Sequence, residues 1–343
     1  MIRKQLIFPL LKEICQEQGI PLIEEPSRGM FGVMVFENGR KFFVKDVNLN
    51  LNYASSIRIT KNKALTSYFL EKFGYNVPQY TIVYSEEKCK KYNLSDTFEK
   101  GIEFAKKVGY PIILKLNDSS QGRGIYKVYD EKELGDVAKN IFQKSNTFQI
   151  QKFYGYNDYR VVILGGKVLS AYQRIPLYVI GDGKNSIKQL LKLKQEEYIA
   201  SGRDTIIEID NDIIENLSRV GFNLETKLCK GEKCILRNVS NLSAGGECLD
   251  LTNKIHRDYV NLCINIARDF NLNLCGIDIM CNNLCKSMDD YILLELNSSP
   301  GLDNYAFCGE KQEKYVKELY QEVVLFIKNK LCEGEEQGWK LLN

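Results

Sequence analysis

The stretch YILLELNSSPGLDNY, Tyr291 to Tyr305, sets a carboxylate and an amide two residues apart at the end of an apolar run, just ahead of a Ser-Ser-Pro-Gly turn. Side chains alternate across a strand, so Glu295 and Asn297 share one face, while Ile292, Leu294 and Leu296 share the other and serve the core. Upstream, LCGIDIMC (residues 274–281) alternates in the same way, and the polar NNLCKSMDD that follows reads as a hairpin connection. Pairing the two strands brings Asp278 across from Glu295 and Asn297. Three hard oxygen donors suit Mg²⁺ on nucleotide phosphates, and two such ions about 4 Å apart serve much phosphoryl chemistry. For one carboxylate alone, a solvent-facing hairpin edge is the alternative.

A second constellation lies upstream. Lys115 ends the apolar run PIILKL and is followed by NDSSQGRG, in which Ser119, Ser120, Gly122 and Gly124 form a glycine-rich loop. Backbone N–H groups of such a loop wrap phosphate oxygens, and a lysine beside it supplies a compact positive charge. IYKVY after the loop reads as a strand, so the loop joins two strands. That geometry excludes a Rossmann fingerprint, which needs a helix after the glycines. GDGKNS (residues 181–186) fails as a phosphate loop, because Tyr178 stands where the first glycine belongs and Asn185 where a Ser or Thr would hold magnesium.

Composition removes other chemistries. The 343 residues carry a net charge of +3 with 44% apolar and 27% charged residues, ordinary for a globular chain and too mild for a nucleic-acid partner. His256 is the sole histidine, at the start of a helical pattern, so a histidine triad or zinc protease would rest on it alone. No nucleophile elbow is present. The N-terminal apolar patch is interrupted by Lys12, Glu13 and Glu17 and lacks the features of a secretory signal; no run is long enough to span a membrane. The 11 cysteines are spread along the chain and read as reduced thiols of a cytoplasmic protein. The pairs Cys229/Cys234 and Cys281/Cys285 are spaced too loosely to define a zinc site.

Periodicity organises the chain as α+β in two packed subdomains with a short N-terminal α/β module. Residues 1–53 form the module, a helix over residues 1 to about 20 followed by a hairpin turning at Glu37-Asn38-Gly39. Residues 54–150 carry a helix closed by Gly74, a strand, and the Lys115 loop. Residues 151–330 carry strands at YRVVILGG and KVLSAYQRIPLYVI, helices at SIKQLLKLKQEEYIASG and HRDYVNLCINIARDF, the two acidic strands, and a C-terminal helix over 313–330. Residues 331–343 form a polar tail, expected to fray.

The order strand-Lys115-glycine loop, GIDI, LLELNSSPG resembles the ATP-grasp ligase family. YRVVILGGKVLSAYQRIPLYVIGDGKNSIKQLL, SRVGFNLETKL and LRNVSNLSAGGECLDLT are similar to stretches of cyanophycin synthetase and of the glutathione-synthetase half of bifunctional bacterial enzymes, from about Ala54 to Lys328. The resemblance implies an ATP-grasp fold of two α+β subdomains clamping ATP. Asp278, Glu295 and Asn297 would hold two magnesium ions, or manganese. Lys63, Lys115 and the loop residues Ser119, Ser120, Gly122 and Gly124 would hold phosphates, and Gln151, Lys152 and Phe153 the adenine hinge. Arg160, Arg174 and Arg237 would neutralise phosphate and the tetrahedral centre. The implied reaction joins a carboxylate, activated as acyl phosphate, to the amine of an amino acid or small peptide, in a homodimer without membrane or nucleic acid.

Departures qualify the resemblance. Asn62-Lys63 stands for the family's Asp-Lys, Ser67 for a second lysine, and Gln151 for the hinge glutamate. The other domains of cyanophycin synthetase have no counterpart in the matched stretches, which favours a single ligation over polymer growth. Two alternatives remain. One is a nucleotide-binding regulatory protein; the other modifies a ribosomal or carrier-bound peptide docked on residues 1–50.

Overall fold

The computed structural model describes residues 6–116, 124–203 and 205–333. Its elements in chain order are α1 (Ile7–Glu17), β1 (Leu22–Glu24), β2 (Phe31–Val35), β3 (Lys41–Lys45), α2 (Ala54–Lys61), α3 (Lys63–Lys72), β4 (Tyr80–Tyr84), α4 (Glu86–Tyr92), α5 (Phe98–Val108), β5 (Ile112–Leu116), β6 (Ile125–Val128), α6 (Glu131–Phe142), β7 (Thr147–Lys152) and β8 (Asn157–Leu164). They continue with β9 (Lys167–Ile175), β10 (Tyr178–Ile180), α7 (Ile187–Ala200), α8 (Asn211–Arg219), β11 (Lys233–Ile235), β12 (Glu247–Asp250), α9 (Arg257–Asp269), β13 (Leu274–Cys281), β14 (Tyr291–Asn297), α10 (Asp303–Ala306) and α11 (Glu310–Glu333).

A five-stranded antiparallel sheet, β12-β9-β8-β13-β14, is the platform. Alternation along β8 and β13 covers both of its faces. Tyr159, Val161 and Ile163 of β8 and Cys275, Ile277 and Ile279 of β13 pack under α9. Val162, Leu164, Tyr172 and Leu274 point the other way, into a core shared with α1, β2, β3 and α11. The N-terminal module thus has no separate core: Ile7, Phe8, Leu11 and Ile14 of α1 pack with Val316, Leu319 and Val323 of α11.

A four-stranded sheet, β4-β7-β5-β6, carries α5 and α6 over a second core built from Ile112, Leu114, Val128, Phe148 and Ile150. The two-stranded β10-β11 sheet with α7 and α8 forms a small third unit. These sheets partition the chain differently from divisions at 53/54 and 150/151. Leu70, with Ile59, Phe69, Tyr75 and Val77, joins the α9 core, and β7 runs through residue 150 to Lys152.

Three local features depart from the periodicity reading. The helix expected over residues 56–73 is broken at Asn62, whose extended backbone (φ −103°, ψ 108°) makes it the N-cap of α3; its side chain accepts the Leu65 N–H at 3.1 Å. The break places Lys63 at a helix start. The run KVLSAYQRIPLYVI is two strands in different sheets, divided at Pro176, which has no N–H for a ladder. In β14 the pairing shifts between Asp278/Glu295 and Ile279/Leu293. That bulge puts Leu293 and Leu296 into the core and leaves Leu294 only partly covered, correcting the simple Ile292-Leu294-Leu296 alternation. The polar segments forming α4 and α8 carried no helix expectation.

Candidate active site

Sheet register assembles the acidic side of the site. Asp278 lies opposite Glu295 on β14 and opposite Arg160 on β8, and Arg174 of β9 lies opposite Asp158 of β8. Arg160 grips Asp278 with two parallel N–H groups, Nη2 donating to Oδ2 at 2.9 Å and Nε to Oδ1. Arg174 Nη2 donates to Asp278 Oδ2 at 2.9 Å and to Asp158 Oδ1 at 2.7 Å. A Cβ on Gly276 would stand 3.0 Å from Arg160 Cδ and 3.2 Å from Pro300 Cβ, so this glycine leaves room for the arginine over the strand. Asp158 escaped the sequence reading. The available signal was its i, i+2 spacing from Arg160, which puts both on one strand face.

The charges tune one another. Burial alone would raise the Asp278 carboxyl; Arg160 and Arg174 outweigh it and hold the group well below the usual carboxylate range. Asp158 is pushed up, chiefly by burial, against the pull of Arg174. Glu295, its side chain 38% exposed, stands at the rim with Arg160 Nη2 4.0 Å from Oε1. Partial burial and the adjoining Asp278 carboxyl push Glu295 up, against Arg160 and Lys63. Asn297 Oδ1 accepts the Ser299 N–H at 3.0 Å, which fixes the start of the Ser-Ser-Pro-Gly turn. Its second lone pair is the one available to a ligand.

The basic side comes from the other sheet. Lys115 on β5 is buried directly opposite Gln149 on β7. Burial pushes its ammonium down, Glu295, Asp278 and Asp158 pull it up, and Lys63 adds to the lowering. Lys115 therefore lies in the field of all three carboxylates, and Lys63 in that of Glu295. Gln151 Nε2 donates to Gln149 Oε1 at 2.9 Å, while the buried Gln149 Nε2 and Arg174 Nε have no acceptor among the described residues. Phe153 lies 3.9 Å beneath the Lys127 ammonium, and Lys152 stacks over Tyr154. Gly124 takes φ +68°, and a Cβ there would lie 2.4 Å from Leu116 Cδ1. Ser119, Ser120 and Gly122 lie outside the described residues.

Arg237 sits elsewhere. Its Nη1 pairs with Asp210 at 2.9 Å and its Nη2 donates to the Glu208 carbonyl at 2.9 Å, contacts it shares with none of the Asp278 group. Another buried arginine, Arg203, was not anticipated: its Nη2 donates to the carbonyls of Leu242 and Gly246, at 2.7 and 2.5 Å, pinning the SAGG loop. His256 is the N-cap of α9, its Nδ1 accepting the Asp258 N–H at 3.3 Å. Among the described residues no group of three or more His, Cys, Asp and Glu side chains could hold a metal; the candidate set here is two carboxylates and an amide.

A buried lysine on one antiparallel sheet thus stands within electrostatic reach of a carboxylate pair on another. Residues 82–195 match the family described as Carbamoyl-phosphate synthase L chain, ATP binding domain, and residues 184–314 match the RimK-like ATP-grasp domain. Cyanophycin synthetase of Trichormus variabilis is 30% identical over 254 residues, 71% of this chain and 27% of the relative. The glutathione biosynthesis bifunctional protein of Mannheimia succiniciproducens is 26% identical over 282 residues, 77% of this chain and 35% of the relative. The crystal structure of a bifunctional glutathione synthetase from Pasteurella multocida shares the fold, with a TM-score of 0.60 at 22% identity over 93% of this chain and 44% of that one. The chain spans about a quarter to a third of the curated relatives it matches. Both matched models are ATP-grasp domains, and the chain has the ATP-grasp fold.

Proposed function

We propose that the chain is an ATP-dependent carboxylate–amine ligase that makes one peptide-like bond per cycle. The observation that carries this reading is the convergence of Lys115 and Lys63 on the Asp278–Glu295 pair, with Arg160 and Arg174 behind it. In the reaction, a substrate carboxylate oxygen takes the γ-phosphoryl group of ATP and ADP leaves. The amine nitrogen then attacks the acyl carbon, the carbon–oxygen bond to phosphate breaks, and the amine loses a proton. Positioning and charge neutralisation dominate such chemistry, which suits a chain with a single histidine.

The donor set fits a divalent cation. Two carboxylates in contact, one pushed up by its neighbour, gain from a shared positive charge, and Asn297 adds a neutral oxygen. Asp278, Glu295 and Asn297 would hold magnesium, two ions by family resemblance or manganese in its place, and the metal would neutralise phosphate charge. Both oxygens of Asp278 are engaged by guanidinium groups. An arriving triphosphate offers Arg160 and Arg174 a competing anion, which leaves Asp278 for a cation. Gln149 Nε2 and Arg174 Nε, both buried donors without acceptors, match a ligand rich in acceptor oxygens. Gln151, Lys152 and Phe153 would border the adenine end, as the resemblance implies. Arg237 belongs to this reading only as a contributor from the α8 side. We place the protein in the cytoplasm as a homodimer acting on amino acids or small peptides; no described helix is long and apolar enough to cross a membrane.

The test is ADP formation with magnesium across a panel of amino acids and dipeptides, with product mass read by spectrometry. The expected result is amide formation tied to ATP consumption, with Lys115→Ala weakening ATP about tenfold and slowing turnover as well. ATP binding without turnover on any pair would favour the regulatory alternative, and unaltered ATP affinity in Lys115→Ala would remove Lys115 from the site.

A further inference from the structure

The outer face of the N-terminal sheet is apolar and lies outside the reaction just described. Strand register places Ile23 opposite Val33 and Val33 opposite Phe43, one cross-strand row over all three strands. Their neighbours Met34, Phe42 and Val44 turn into the core, so the row faces outward, with Ile23 60% and Phe43 66% exposed. Phe31 extends the row, and with Ile57 of α2 these residues line a cavity of about 880 Å³. It is an open, shallow depression in the sheet face rather than an enclosed pocket.

The rim is net cationic, with Lys12, Arg28, Lys41 and Lys45 against Glu24 and Glu25. Lys45 and Arg28 lie 5.2 and 5.8 Å from the Phe31 ring centre, and Lys41 alternates outward on the same strand as Phe43 and Lys45. Two carboxylates share this lining: Glu24 pairs with Lys12 at 2.6 Å, and Glu25 accepts the N–H groups of Ser27 and Arg28 at 3.0 and 2.9 Å and keeps its charge. Among the described residues no carboxylate forms an ion pair with Arg28, Lys41 or Lys45.

The face is also continuous with the reaction centre. Asn48 lines the cavity and accepts the Ser299 hydroxyl at 2.9 Å, and Ser299 in turn holds Asn297. Asn52 Nδ2 donates to the Ser298 carbonyl at 2.8 Å, sewing the same linker to the turn. We propose that this face docks the body of a peptide substrate rich in apolar and acidic side chains, and that the end to be joined passes Asn48 to the turn after β14. The proposal rests on the ligase reading and names its substrate class. Apolar side chains fill the Ile23–Val33–Phe43 row while carboxylates meet Arg28, Lys41 and Lys45.

The experiment uses the full chain and fluorescence anisotropy of a short labelled peptide alternating leucine and glutamate, with a lysine-for-glutamate control. The expected result is binding of the acidic peptide alone, weakened about tenfold by Phe43→Ser or Ile23→Ser and similarly by Lys45→Glu. Both apolar side chains are largely exposed, so these variants should fold, and their melting temperatures check that. Equal binding of the two peptides, or undiminished binding in both serine variants, would overturn the docking face. So would a dimer that Phe43→Ser dissociates in a chain that binds neither peptide, since a second copy would then cover the face. Calorimetry with ATP on the same preparation separates the two readings. Absent ATP binding with intact peptide selectivity strikes the ligase reading, and normal ATP binding without selectivity strikes the docking face alone.

Discussion

Arg160 with Arg174, and Arg237, are the same residue type with the same expected task, yet the fold treats them in opposite ways. Arg160 and Arg174 stand on adjacent strands of the five-stranded sheet and converge on Asp278, which is 2% exposed. Arg237 stands just beyond β11 and pairs with Asp210 and Asp212, whose side chains are 45% and 46% exposed. The first group is dry and interlocked; the second has wet partners. An ion pair taken from water is costly to make and costlier to break, because the surviving partner remains buried without its countercharge. Exposed partners fall back on solvent at small cost. Arg237 is itself as covered as Arg174, each side chain 11% exposed, so the two sites differ in their carboxylates and not in the guanidinium.

The largest expected effect breaks the first group. Arg160→Met removes the two-pronged grip on Asp278 and should cost about 3–5 kcal/mol of stability and at least a hundredfold in turnover. Arg237→Met should cost less, about 1–2 kcal/mol, because solvent reaches its carboxylates although the arginine itself is covered. Urea unfolding of both variants decides the matter; equal losses would mean that burial is not what distinguishes the two sites.

A second pair of substitutions sharpens the contrast within the acidic site. Asp278→Asn and Glu295→Gln should each abolish magnesium-dependent turnover by removing a ligand charge. Only Asp278→Asn should also lower the melting temperature, because it strips Arg160 and Arg174 of their shared carboxylate. Glu295 at the rim is not the anchor of either arginine. Equal melting temperatures for the two would show that the arginines find other partners.

A smaller, pH-dependent effect concerns an intermediate case, Glu247, which accepts from Tyr178 at 2.8 Å and pairs with Lys194. Burial raises its carboxyl, but the hydrogen bonds from Lys194 and Tyr178 outweigh it and leave the group lowered. A lowered carboxylate contributes stability above its unfolded value, about 4.3 for glutamate, and that contribution is lost as pH falls through the lower folded value. Glu247→Gln should cost about 1–2 kcal/mol at neutral pH, and the gap to wild type should close under acid. A gap that persists unchanged at low pH would mean packing, not charge, is responsible.

What the sequence by itself determined is local and periodic. The alternation in residues 274–281 and 291–297 specified both acidic strands and the face shared by Asp278 and Glu295, because side-chain direction repeats every two residues. Lys115 ahead of the glycine loop was legible for the same reason, as was the hairpin turning at Gly39, whose φ of +79° suits glycine. What only the tertiary structure decided involves partners far apart in the chain. Asp158 takes on meaning when β9 lays Arg174 against it, Gln149 when β7 lies against β5, and Arg203 when it reaches carbonyls some forty residues on. The bulge beside Glu295, which exchanges Leu294 for Leu293 in the core, has no mark in the alternation it interrupts. Likewise nothing in the sequence of the N-terminal module says that its inner face would share a core with α11 and the platform sheet, leaving Ile23, Val33 and Phe43 outside. Periodicity fixes which residues share a face; which face is covered depends on contacts that no local pattern records.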